Sequence, residues 1–214
     1  MSNQDRREPR WPAALALVVA SALYVVLPGE LIIGPRWLIP GLEVALVITL
    51  LIHNANRMDK DEPRWRALAI AVIALINVAN VISVILLVRA LIYGNPVNGR
   101  TLVYSAIAVW LTNAIIFGVW FWELDRGGPG VRGTSRQRWP DFQFPQMANP
   151  DTARSGWRPT LPDYLYVGFT NATAFSPTDA MPLSVAAKSL MTAESLVSMV
   201  TVVVVAARAV NILK

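Results

Sequence analysis

The chain of 214 residues contains no cysteine and a single histidine, His53. Without a thiol or a second imidazole, the usual ligand sets for zinc and other soft transition metals cannot be assembled, and no disulfide contributes to folding. His53 ends an apolar run beside Asn54 and Asn56, and reads as a solvated group at headgroup level. Charge is also scarce, at 15% of residues. No phosphate-cradling glycine loop, nucleophile elbow or carboxylate pair is present, so an enzyme has little to stand on and no cofactor is expected. The formal charge of +5 comes from residues in the connections between apolar runs. They lack the clustered aromatic interleaving of a nucleic-acid surface, which excludes nucleic acid as a partner.

Apolar sequence is abundant: hydrophobic residues make up 54% of the chain and fall in long blocks. A helix crosses a hydrocarbon core of about 30 Å with about 20 apolar residues. Runs at 12–33, 67–93, 102–124 and 189–212 meet that length. A fifth run, 37–53, has 17 residues and Glu43 as its only charge. Lipid cannot satisfy open backbone groups, so each span must be helical. The expected fold is an all-α integral membrane helical bundle in the lipid bilayer, with about five spans plus a short re-entrant pore-like helix. Arg6, Arg7 and Arg10 ahead of the first run imitate a secretory signal, but the run continues to Ile33, beyond the usual length of one.

The basic residues orient the bundle. With five spans, the connections 1–11, 54–66 and 125–160 share a side and, with Lys188, hold 14 of the 19 Lys and Arg residues. The positive-inside rule then places the amino terminus in the cytoplasm; counting only 1–11 and 54–66 on that side, without the long 125–160 connection and Lys188, leaves 7 against 5. That connection is rich in Gly, Pro, Arg and Trp, and its lack of periodicity predicts a loop lying on the bundle with no core of its own. Trp139, Phe142, Phe144 and Trp157 are expected to anchor it at the bilayer interface.

Pro162 and Asp163 suit a helix's first turn, because proline loses nothing there and a carboxylate favours the positive helix end. The helix they open, 161–175, is too short to span. A short helix, a loop containing Pro177 and Pro182, and then a full apolar run form the layout of a re-entrant pore loop, tolerated where protein or a water-filled cavity surrounds it.

In register, residues 163–212 resemble the two-helix pore module of bacterial potassium channels, with 102–124 as the outer helix and 184–212 as the inner one. Tyr166 and Phe169 fall on aromatic positions of that pattern, Thr173 on the first filter threonine, Asp179 on the aspartate, Pro182 on the proline and Lys188 on the basic position. Where the family has Thr-Val-Gly-Tyr-Gly, this chain has Ala174, Phe175, Ser176, Pro177 and Thr178. Potassium filters replace the hydration shell with successive backbone carbonyls, and the glycines permit the necessary conformations. Pro177 fixes its own φ and restricts Ser176, so that ladder cannot form. The resemblance implies a homo-oligomeric, tetrameric pore fold in a bacterial plasma membrane, while the same residues argue against potassium selectivity. It also implies a loop entering from outside, in conflict with the basic-residue count.

The chain divides into N-terminal membrane helices, 1–100, and a pore-module-like region, 101–214, whose filter-like loop is 176–183. Asn171 to Asp179 are the candidate pore lining for monovalent cations. Asn77, Asn80 and Asn113 can line a polar path or serve as packing glue. Glu43 and Glu194 are ionisable groups inside spans, Glu194 facing a vestibule or pairing with Lys188. Asn171-Ala-Thr173 matches a glycosylation acceptor, a frequent chance match. Two functions follow: a subunit of a non-selective or weakly cation-conducting pore, or a non-conducting membrane scaffold that keeps the pore-module fold.

Overall fold

Long apolar runs become helices because every backbone N–H and C=O is then satisfied within the segment. A computed structural model describes residues 8–32, 34–38, 40–42, 44–45, 63–93, 98–174 and 180–212. Its helices are α1 (Trp11–Val26), α2 (Pro63–Tyr93), α3 (Gly99–Leu124), the single turn α4 (Pro145–Ala148), α5 (Leu161–Ala174) and α6 (Val185–Ile212). A two-residue antiparallel ladder joins β1 (Phe142–Gln143) to β2 (Met181–Pro182), with Phe142 opposite Pro182.

Three helical segments among the described residues are long and apolar enough to cross a membrane: Arg66–Tyr93, Gly99–Gly127 and Val185–Ala207. They mark the chain as a helical membrane protein. The run expected at 12–33 is interrupted after 16 helical residues. Leu27 turns extended, Pro28 follows at ψ 150°, and Gly29–Leu31 form a 3₁₀ turn. Proline disfavours helical backbone in the residue before it, so the helix stops one residue earlier. The resulting α1 is about 24 Å long at 1.5 Å per residue. Most of the run expected at 37–53 lies outside the described residues.

Helix α3 is the centre of the bundle and packs against α1, α2, α5 and α6. Helix α5 runs antiparallel to it at backbone contact. A Cβ built on Gly168 would sit 2.6 Å from the Ala114 carbonyl oxygen, and one on Gly118 would sit 2.9 Å from Leu165 Cα. Two facing glycines therefore set this separation, as small residues do where helices approach closely. Helix α5 ends beside the middle of α3, where Trp110 Nε1 donates to the Ala172 carbonyl at 3.3 Å and the Trp110 and Phe169 rings meet edge to face at 5.6 Å. By Met181–Pro182 the chain is back at β1, whose Phe142 packs against Phe121 near the carboxyl end of α3. Helix α6 then descends beside α3 until Val204 joins the cluster of Leu102 and Val109.

Arg10, before α1, and Arg66, early in α2, both reach Glu123 at the carboxyl end of α3. The amino-terminal segment, the start of α2 and the 125–160 connection thus share one end of the bundle, in the arrangement expected from the basic residues. The connection itself is more deeply packed than expected. Phe142 is fully buried, Phe144 nearly so, and Trp157 is half-buried against Phe144 at 5.9 Å; only Trp139, 90% exposed, stands free as an interfacial anchor would.

Candidate functional site

Along α6 the buried positions Met191, Glu194, Ser198 and Thr201 recur at helical spacing, and on α5 Tyr164, Val167 and Asn171 do the same. Two of these stripes meet Asn113 of α3 to form a polar layer between three helices. Asn113 Nδ2 donates to the Glu194 main-chain carbonyl at 3.2 Å and to Ser198 Oγ at 2.9 Å. Asn171 Nδ2 donates to the Met191 carbonyl at 2.9 Å and to Glu194 Oε2 at 2.7 Å, while its Oδ1 accepts from Ser195 Oγ at 3.3 Å. A main-chain carbonyl can only accept, so both amides must present their N–H groups to these carbonyls. Such interhelical bonds contribute about 0.6 kcal/mol each.

Beside this layer a groove of about 350 Å³ opens between α5 and α6, lined by Asn171, Lys188, Thr192, Ser195, Leu196 and Met199 among others. Its polar lining is Asn171, Lys188, Thr192 and Ser195. Lys188 is exposed at the first turn of α6, and Glu194 turns the other way, wholly buried among α3, α5 and α6.

A second polar assembly holds the connection 125–160 to the end of the bundle. Gly127 and Gly128, at φ 88° and 96°, let the chain reverse after α3 into backbone that other residues resist. Asp125, 0% exposed, accepts from Asp141 N at 2.7 Å, Phe142 N at 3.3 Å and the Tyr164 hydroxyl at 2.5 Å, and its Oδ2 lies 3.5 Å from Arg126 Nε. Burial pushes the Tyr164 phenol up from its ordinary value, with the Arg132 guanidinium opposing, so the hydroxyl keeps the proton it donates. Arg132 lies over the Tyr164 ring at 5.0 Å, donates to the Trp122 and Asp125 carbonyls that end α3, and pairs with Glu8. Cationic donors at a helix's carboxyl end satisfy its last carbonyls and its dipole.

The same end starts α5. Thr160 N and Oγ1 both donate to Asp163 Oδ2, at 2.7 and 2.8 Å, the back-reaching half of a capping box, and Leu161 N donates to Glu8 Oε1 at 3.1 Å.

Of the residues singled out from the sequence, Asn113, Asn171 and Glu194 come together, joined by Ser195 and Ser198. Thr173 is exposed on the last turn of α5 and donates back to the Phe169 carbonyl. Asn80 is buried and Asn77 half-buried on α2. Ala174 closes α5. Glu43, His53, Phe175, Ser176, Pro177, Thr178 and Asp179 lie outside the described residues. Sequence reasoning missed Gly118, Gly168, Asp125, Glu123 and Arg132. Charged residues at or just past the end of an apolar run look like ordinary interfacial charge, and only the three-dimensional return of the chain buries them. Among the described residues no group of three or more His, Asp or Glu side chains is placed to hold a metal. No protein-family model matches the chain, and no curated protein or solved structure matches it either.

Proposed function

We propose that the chain is a pore-loop membrane subunit of a bacterial plasma membrane, with α5 as a re-entrant helix and with several copies, four by analogy with the potassium-channel module, surrounding an axis. The observation that carries this reading is the path of α5. It penetrates to the middle of α3, ends there at Trp110, and the chain returns to its starting end before α6 descends. Non-helical backbone at membrane depth is tolerated where it is buried in protein or lines a water-filled cavity, and the pore reading takes the second case. The sequence between α5 and β2, Phe175 to Asp179, contains two hydroxyls and one carboxylate and no glycine. The passage is therefore read as non-selective or weakly cation-selective.

Protein reconstituted in liposomes is expected to pass sodium and potassium without strong preference. Asp179→Asn is expected to lower the cation flux with little change in thermal stability, because asparagine retains much of an aspartate's capping ability while losing its charge. A strong potassium preference would refute the argument from Pro177, and unchanged flux in Asp179→Asn would remove the carboxylate from the passage.

A specific observation favours a second reading, a non-conducting scaffold. The polar groups of the three-helix layer bond to one another within a single chain, as packing glue does. Oligomeric state in mild detergent separates the two readings, since a monomer cannot place several loops around an axis.

A further inference from the structure

Glu194 is bonded unevenly. Its side chain is 0% exposed, Oε2 accepts from Asn171, and Oε1 has no hydrogen-bond partner among the described residues. Charged groups on the elements around it lie elsewhere. On α3 they are Arg100 and Glu123, near its two ends; on α5, Asp163, bonded to Thr160; on α2, Arg64 in its first turn, Arg66 against Glu123 and the exposed Arg89. On α6 itself the exposed Lys188 lies six residues, roughly 9 Å, along the axis, and Arg208 fourteen residues, roughly 21 Å, in the other direction. A negative charge at Oε1 would thus be enclosed with one amide donor near its partner oxygen and, among the described residues, no cation beside it.

Two small species could neutralise this carboxyl, an alkali cation or a proton, and the amides discriminate between them. An alkali ion needs several oxygens turned toward it. Asn113 and Asn171 instead turn N–H groups to the layer, held there by the main-chain carbonyls of Glu194 and Met191, and Asn171 Oδ1 is already taken by Ser195. A proton needs only the free oxygen. Asn171 and Ser195 also line the groove between α5 and α6, so a small parting of these helices connects Oε1 to water.

We propose that the Glu194 carboxyl is an exchangeable proton-binding site loaded through the α5–α6 groove. When the helices part, the carboxylate oxygen takes a proton from a hydronium ion, leaving water; the helices then reclose on a neutral acid whose Oε2 still accepts from Asn171. Loss of the proton to groove water reverses the step and favours the parted arrangement. The site is independent of the pore reading, since a conducting subunit and a scaffold would carry it alike.

Infrared spectroscopy of the full chain in detergent tests this. The wild type is expected to show the C=O stretch of a protonated carboxylic acid that is missing in Glu194→Gln. The band should fade as the medium is made alkaline and be indifferent to sodium or potassium at constant pH. Absence of any difference between the two proteins would overturn the proposal. So would loss of the band on adding sodium or potassium at constant pH, which would make the layer a metal-cation site. Asn171→Ala keeps the carboxyl and removes its donor, so the band should move to higher frequency. Should Glu194→Gln fail to fold, an unmoved band in Asn171→Ala would itself overturn the assignment.

Discussion

Asp125→Ala is expected to cost about 3–5 kcal/mol, the range for removing one partner from a buried charged network. The aspartate is fully enclosed and is the common acceptor for two main-chain N–H groups and the Tyr164 hydroxyl, with Arg126 beside it. Removing it leaves those donors without their acceptor and the Arg126 guanidinium without the carboxylate beside it, and it releases Asp141 and Phe142, the point where β1 meets β2. Thermal melts in detergent should shift strongly downward, and limited proteolysis should begin to cut between Arg126 and Thr160. Asp125→Asn keeps the shape and one acceptor oxygen, so its loss should be smaller. Equal melting of Asp125→Ala and the wild type would mean that the connection is held by its aromatic residues alone.

Gly168→Ala is expected to be the next most damaging single change, although it adds only one methyl group. The new Cβ would lie 2.6 Å from the Ala114 carbonyl oxygen and 2.9 Å from Gly118 N, both main-chain atoms of a helix. Neither can swing aside, so α5 must lift away from α3. Overpacking of this kind costs about 1–3 kcal/mol. The lift also stretches the Trp110–Ala172 bond and the Asn171–Glu194 bond, which lie one turn further along α5. Gly41→Ala is the matched control, since among the described residues a Cβ there meets nothing within 4 Å. Melting temperature should fall in the first variant and stay in place in the second. If Gly168→Ala melts like the wild type, the backbone contact of α3 with α5 does not set the packing of α5.

Both variants concern residues that carry no signal in one dimension. Gly168 lies within Tyr-Val-Gly-Phe and Gly118 within Ile-Phe-Gly-Val, and each alone reads as a glycine tolerated in an apolar helix. Their meaning comes from facing one another across 50 residues of chain. Asp125 and Tyr164 are 39 positions apart, and Asn113 and Ser198 are 85 apart. Such pairs are specified by how the helices stack.

Hydrophobic run length was enough to predict that α2, α3 and α6 exist and that they are long enough to cross a membrane, because backbone satisfaction in lipid leaves no other structure for such runs. Length and capping residues likewise set α5: Thr160 and Asp163 start it, and it ends at Ala174, too early to span. Local proline chemistry shortened α1 at Val26, a break visible in Pro28 and outweighed, in the run-length reading, by the apolar residues that follow. What only the tertiary structure decided is where polarity goes. Phe142 and Phe144 enter the core because Asp125 and the β1–β2 ladder draw their segment onto the bundle. Glu194 turns inward because Asn113 and Asn171 come within hydrogen-bonding reach only when three helices, distant in sequence, share one layer.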